Sequence, residues 1–384
     1  MIAQNLYSVF CRDIDQPLSR GLGIPVFFRS ASVNKSPIPI DPYLSARNAI
    51  VLLIDQNYFI DASFESYTNS LADMESENTR IYPVQLCEQA TDLNFGKHSF
   101  QFIRAFQGGL TNMDYKDLYG DSDFDLTREM DFAFSMQRIK SELLHDLARL
   151  MMNIHTGSVE KNENGIPPPV TLFLSHAKKD GLDTTKRFKA FVESESKLDV
   201  FFDAVDIADG FAFERQIEEN IRKSALVVFH TDEYSAREWC RIEVMIAKRN
   251  KCSIVVVHDI RKGERRAFPY LGNTPTLTVG EDEHKSFQQI VDLTLYQVLN
   301  NLFQLELLDS FRKVFQTHQE EFVLLTSPPE LFNYADIYRK KKESARQLVV
   351  LYPEPPLGAE ELKILNDLDP DLVFITPVLL PLYF

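Results

Sequence analysis

The feature that most constrains this chain is a run of alternating segments between residues 170 and 257. Val170–Leu174 is short, apolar except for Thr171, and strand-like. Thr184–Ser194 follows as a helix with Phe188, Phe191 and Val192 on one face. Asp199–Phe202 reads as a strand, Phe213–Lys223 as a helix with Ile217 and Ile221 four apart, and Leu226–Phe229 as a strand. Trp239–Arg249 is a helix and Ile254–Val257 a further strand. A strand that is apolar at every position has no wet face, so it has to be covered on both sides. Alternation of such strands with helices predicts an α/β fold, a parallel sheet with helices on both faces. A long helix follows, with Phe287, Ile290, Val291, Leu295, Val298 and Leu302 at helical spacing.

Before this region, the stretch from Gly157 to Pro169 is polar and ends in three prolines, which predicts a linker. The expected domains are therefore residues 1–156, a linker at 157–169, a second domain at 170–304 and an extension at 305–384. The first domain reads as a diverged copy of the second. Val26–Phe28 parallels Val200–Phe202, Ala49–Tyr58 parallels Ala225–Tyr234, and Ile81–Val84 parallels Ile254–Val257, in order and at a near-constant offset. Each copy is followed by a long amphipathic helix; in the first, Met136, Ile139, Leu143, Leu147 and Leu150 share a face. The extension reads as strand Gln347–Tyr352, helix Ala359–Leu368 and strand Leu372–Thr376, a small β-α-β appendage too short to hold a core alone.

Composition removes several function classes. A formal net charge of −15 repels phosphate backbones, so direct nucleic-acid binding is not expected. The one strong basic run, Arg339–Lys342, reads as a solvated helix face. The longest apolar runs fall far short of the ~20 residues a membrane span needs, and the N-terminus lacks a secretory pattern. Cys11, Cys87, Cys240 and Cys252 are scattered and read as reduced, cytoplasmic thiols. No HxxxH pair marks a metal site, and no GxxxxGK[ST], GxGxxG or GxSxG motif is present, which disfavours ATPase, kinase, dehydrogenase and serine-hydrolase chemistry.

What stands out lies between Phe173 and Glu243. Phe173-Leu-Ser-His176 ends the first strand of the second domain. A loop containing Asp203, Asp206 and Gly210 follows the second strand, and Ser224 precedes the third. Tyr234-Ser-Ala-Arg-Glu-Trp-Cys-Arg-Ile-Glu243 then opens a helix. Trp239, the sole tryptophan, stands four residues before Glu243, a spacing that puts both on one helical face. Both project from near the carboxyl ends of strands, where open α/β sheets bind ligands.

In these elements, and in Pro269-Tyr-Leu-Gly-Asn273 after the fourth strand, the region of about 168–300 resembles the Toll/interleukin-1 receptor (TIR) domain family, particularly its bacterial members. The resemblance implies a flavodoxin-like parallel sheet, and for the first domain a degenerate TIR relative. It implies one of two modes of action. Some TIR domains are scaffolds that signal by assembly; others cleave NAD+ between nicotinamide and ribose. The Trp-x-x-x-Glu pattern resembles the enzymatic members. Carried over, Glu243 is the catalytic carboxylate and Trp239 a stacking wall, with Ser175, His176, Asp203, Asp206 and Tyr234 around the substrate. NAD+ is then a substrate, and neither cofactor nor metal is called for.

The resemblance further implies an effector of prokaryotic antiviral defence, self-associating through its TIR domains and switched on by assembly, by a protein partner or by a nucleotide signal. A non-enzymatic TIR–TIR scaffold and a cyclase making an ADP-ribose-derived messenger are the alternatives. Each residue also has a plainer reading. Glu243 is compatible with a solvated first-turn glutamate, Trp239 with core, Ser175 and His176 with a helix cap, and Asp203 and Asp206 with a turn. Cys240 reads as packing. In the first domain Tyr67 and Ser63 stand at the offset positions of Glu243 and Trp239, so no catalysis is expected there.

Overall fold

A computed structural model of the protein describes residues 2–12, 21–29, 36–60, 62–96, 98, 100–105, 112–157, 166–202, 213–264, 267–317 and 319–384. The chain divides into two compact units, Met1–Leu143 and Leu144–Phe384.

The first unit runs α1 (Ile2–Phe10), β1 (Asn48–Ile54), α2 (Ala62–Ala72), β2 (Thr79–Gln85), β3 (Ile103–Arg104) and into α3 (Asn112–Thr156), inside which the division falls. Among the described residues its strands form a three-stranded parallel sheet in the order β1-β2-β3. Ile54, Tyr58, Ala72, Ala90 and Phe95 make one apolar cluster, and Ile50, Leu71 and Ile81 another. Val26–Phe28, expected as a strand, is irregular, with Phe27 and Phe28 exposed. Gly21 and Gly23 just before it adopt left-handed φ values of 53° and 69°, and Pro25 has no amide to give a ladder.

The second unit continues with β4 (Thr171–His176), α4 (Leu182–Glu195), β5 (Asp199–Phe201), α5 (Phe213–Arg222), β6 (Ser224–Thr231), α6 (Glu238–Arg249), β7 (Ile254–Asp259), β8 (Thr276–Thr278) and α7 (Glu283–Phe315). Its five strands pair in parallel in the order β5-β4-β6-β7-β8, the flavodoxin-like arrangement. Every residue of β6 is buried, as a strand covered on both faces has to be. One face meets Ile217 and Ile221 of α5 and Val244 and Ala247 of α6. On the other, Phe188 of α4 packs against Phe229 of β6 and Phe287 of α7.

The extension is larger than the expected β-α-β. It comprises β9 (Glu320–Leu324), α8 (Leu331–Glu343), β10 (Gln347–Leu351), α9 (Ala359–Leu368), β11 (Val373–Ile375) and α10 (Leu380–Tyr383), with a parallel sheet ordered β11-β10-β9. Ile337, Leu348, Val350, Leu365 and Phe374 fill one side of this sheet. Leu308 of α7 joins Phe322, Val349 and Ile375 on the other, so the long helix supplies the apolar surface that the extension lacks. The basic run Arg339–Lys342 lies in the last turns of α8, where Arg339, Lys340 and Lys341 pair with Asp336, Glu321 and Asp369.

Candidate active site at the switch point of the sheet

The chain leaves β4 for β5 on one side and returns to β6 on the other. That reversal of direction opens a crevice at the carboxyl ends of β4 and β6, the place where doubly wound sheets take ligands. β4 ends there in Ser175 and His176, in register with Val228 and Phe229 of β6. β6 runs into a 3-10 turn, Tyr234–Ala236, and then into α6.

The buried stripe of α6 is Cys240, Glu243, Val244 and Ala247, so an acid occupies a core position of an amphipathic helix. Glu243 is 4% exposed. A carboxylate at that depth needs hydrogen-bond donors. Ser175 Oγ supplies one, donating to Glu243 Oε2 at 2.5 Å, and the Tyr234 hydroxyl lies 2.6 Å from the same Oγ. With the serine proton committed to Glu243, the tyrosine proton goes to Ser175, and the Cys240 carbonyl at 3.3 Å is its longer second acceptor. The three side chains thus form one chain of donors ending on the carboxylate. Burial pushes the Tyr234 phenol well above its ordinary range, and Cys240 and Glu243 push it further, so tyrosine stays a donor throughout neutral pH.

His176 is buried and stacked on Phe202, with ring centroids 5.0 Å apart and planes at 9°. Its carbonyl accepts the Cys240 thiol at 3.5 Å, a packing role for that cysteine. Trp239 stands one turn before Glu243 and is 39% exposed, so it is not a core residue. Asp203 and Asp206 lie outside the described residues. The structure therefore joins Ser175, Tyr234 and Glu243 directly, sets His176 beside them, and leaves Trp239 at the surface end of the helix.

Asp180 escaped the sequence reading. Its carboxylate accepts Thr231 Oγ1 at 2.7 Å and the Glu233 amide at 3.1 Å, tying the turn after β4 to the end of β6. Lys179 pairs with Glu233 across the same gap. An acid in the turn just after a strand was the only available signal. Among the described residues no group of three or more His, Cys, Asp or Glu could hold a metal ion.

Taken together, the fold and the site define a doubly wound α/β domain with a buried, donor-held glutamate at its switch point. Residues 172–291 match the TIR domain family, and this part of the chain is a TIR domain. The sequence has no match among curated proteins. Among solved structures, a Salmonella typhimurium LT2 protein named for sugar binding is similar at 10% identity and a TM-score of 0.20, covering 63% of this chain and 86% of its own. The Vibrio vulnificus NanR protein complexed with ManNAc-6P is similar at 14% identity and a TM-score of 0.18, covering 52% and 74%. Superpositions this weak say nothing about fold or ligand. No described helix is long and apolar enough to cross a membrane.

Proposed function

We propose that the TIR domain cleaves NAD+ between nicotinamide and ribose, with Glu243 as the carboxylate that serves the ribose. The observation that carries this reading is the position of Glu243, held by Ser175 and through it by Tyr234, where the sheet reverses direction. Nicotinamide leaves with the electron pair of the broken C–N bond and so becomes neutral. The ribose passes through an oxocarbenium-like state, as in glycoside hydrolysis. One fixed carboxylate stabilises that positive charge. Water then adds to the sugar carbon and releases a proton, or the adenine of the same molecule closes a ring. Trp239, exposed one turn away, is the surface for stacking, and His176 lines the floor.

The first unit is a diverged TIR-like copy without catalysis, and Tyr67 stands at the matched offset of Glu243. Residues 157–169 link it to the catalytic domain, 170–304. The loop Asp203–Gly210 completes a neighbouring copy's site on self-association, and the protein acts as a cytoplasmic effector of prokaryotic defence, awakened by assembly, a partner or a nucleotide signal. Incubation with NAD+ and separation of nicotinamide, ADP-ribose and cyclised product tests the activity and distinguishes hydrolase from cyclase. Asp206→Lys is expected to abolish turnover while the melting temperature holds; full turnover would refute the loop's role. A TIR–TIR scaffold is the competing reading. The low exposure of Glu243 favours it, because a structural acid is buried in the same way.

A further inference from the structure

A second cluster of buried polar groups lies at the carboxyl ends of β6 and β7. His230 and His258 are register partners on these strands. Their rings face each other, with the two Nδ1 atoms 3.2 Å apart. On the far side of the first ring, His230 Nε2 is 2.6 Å from Glu264 Oε1, and Ser235 Oγ donates to the same oxygen at 2.6 Å. The His230 and Glu264 side chains are 5% and 9% exposed. Glu264 belongs to the loop after β7, and a second carboxylate pins that loop as well. Asp232, just past β6, accepts the amides of Arg261, Lys262 and Gly263 at 3.1, 3.0 and 2.9 Å. Gly263 has a φ of +99°, which turns its amide into this nest at no side-chain cost.

We propose that His230, His258 and Glu264 form a proton-operated latch that closes the loop 260–264 on the strand ends with one proton between the facing rings and releases it with two. The hydrogen bookkeeping carries this. A carboxylate only accepts, so His230 Nε2 holds a hydrogen toward Glu264. The Nδ1–Nδ1 contact then needs one nitrogen with a hydrogen and one with a lone pair. Protonating both rings removes the lone pair and sets two cations against a single carboxylate. The other groups facing the cluster do not replace it. Tyr234 packs edge-on against the His230 ring at 5.6 Å. Asp259 is taken by Arg261 and Thr184 and Asp232 by the loop amides; of the two acids on α6, Glu238 lies in the exposed first turn and Glu243 is committed to Ser175. Arg261 and Lys262 are the cations within 260–264, and Arg265 and Arg266 follow it in the sequence. Burial holds His258 below the ordinary histidine range and the neighbouring His230 lowers it further, against the pull of Glu264. The neutral ring is thus the resting form at pH 7. The loop leads to Phe268, Tyr270 and Leu271, which pack with Cys240 and Val244 of α6, so the latch bears on the helix that carries Glu243.

The proposal goes beyond NAD+ cleavage and does not depend on it. Hydrogen-exchange protection of the loop amides, corrected for the intrinsic rate, should be measured on the full chain from about pH 7.5 to about pH 5. Protection at 261–264 is expected to fall about tenfold or more in the parent and to stay flat in His258→Gln, while the β6–β7 core stays protected in both. Equal profiles in parent and variant, or a parent loop whose protection ignores pH, would overturn it. If His258→Gln fails to fold, one-bond proton–nitrogen spectra of the parent's histidine rings decide alone: the latch requires His230 and His258 to shift together with loop opening, and independent titration contradicts it.

Discussion

The sheets of the two units share a pairing pattern and differ in what stands at its ends. In the first, Ile50 pairs with Ile81 and Val84 with Ile103; in the second, Leu226 pairs with Ile254 and Val257 with Leu277. Ile50, Ile81 and Val84 are matched by the sequence offsets to Leu226, Ile254 and Val257. Tyr58 and Tyr234 follow their strands in equivalent 3-10 turns, and both are buried. Beyond that the two diverge. The Tyr58 hydroxyl reaches Thr68 on α2 at 2.6 Å, whereas Tyr234 reaches Ser175 on β4 and through it Glu243. Among the described residues no strand lies beside β1 where β4 lies beside β6. Ile54 and Gln85 occupy the register positions of His230 and His258. A shared strand pairing therefore preserves a scaffold without preserving a site. The site needs a donor from the added strand, and the first sheet, as described, has no such strand.

That comparison can be broken at several points. The largest expected effect is on stability. Phe173 is fully buried in the extra strand β4, and Phe173→Ala should cost about 3–5 kcal/mol in urea unfolding of the second unit. A cost like that of a surface change would mean that β4 is not integral to the core. Next, Ser175→Ala leaves Glu243 and Tyr234 short of a partner and should cost about 1–3 kcal/mol, with NAD+ turnover falling about tenfold or more. Its counterpart Thr68→Val should cost about 1 kcal/mol in the first unit and leave turnover untouched. If the two variants affected turnover alike, the assignment of chemistry to one copy would fail.

Acid should separate the two units as well. His258 and His155, both in Leu144–Phe384, are held below the ordinary histidine range, chiefly by burial. The unfolded chain then takes up protons first as pH falls below about 6.5, so stability is full above that value and declines toward the lowered folded values. The urea midpoint of the second unit should drop from about pH 7 to about pH 5, and a midpoint that rises on acidification would reverse the sign. The smallest effect concerns the bidentate pair of Arg187 with Glu283, half-exposed and screened; Arg187→Ala should cost about 0.2–1 kcal/mol.

Much of the second sheet was legible because its strands have no wet face. β4, β6 and β7 are apolar over most of their length, and no other structure suits such runs between helices. β9 was not read as a strand, since Glu320 and Glu321 mask a pattern whose buried residue is Phe322. The site was legible only in part. Glu243 and Trp239 sit four apart on one helix, a spacing visible in sequence, yet one is buried and the other 39% exposed. Ser175 is 59 residues from Tyr234 and 68 from Glu243, so only the strand order brings their side chains together. In the first unit Tyr67, half-buried, stands at the matched offset of Glu243, while Thr68, at the offset of Val244, is buried and meets the Tyr58 hydroxyl.

The central claim is that Glu243 is a catalytic carboxylate and not a structural one. Purified parent and Glu243→Gln should be incubated with NAD+ in parallel, nicotinamide release followed by chromatography, and the thermal unfolding of each recorded. Nicotinamide release by the parent, a loss of about a hundredfold or more in the variant, and matching melting temperatures are the outcome this account predicts. Turnover in a folded Glu243→Gln variant at the parent's rate would contradict it, and a parent that leaves NAD+ intact even when concentrated enough to assemble would favour the scaffold.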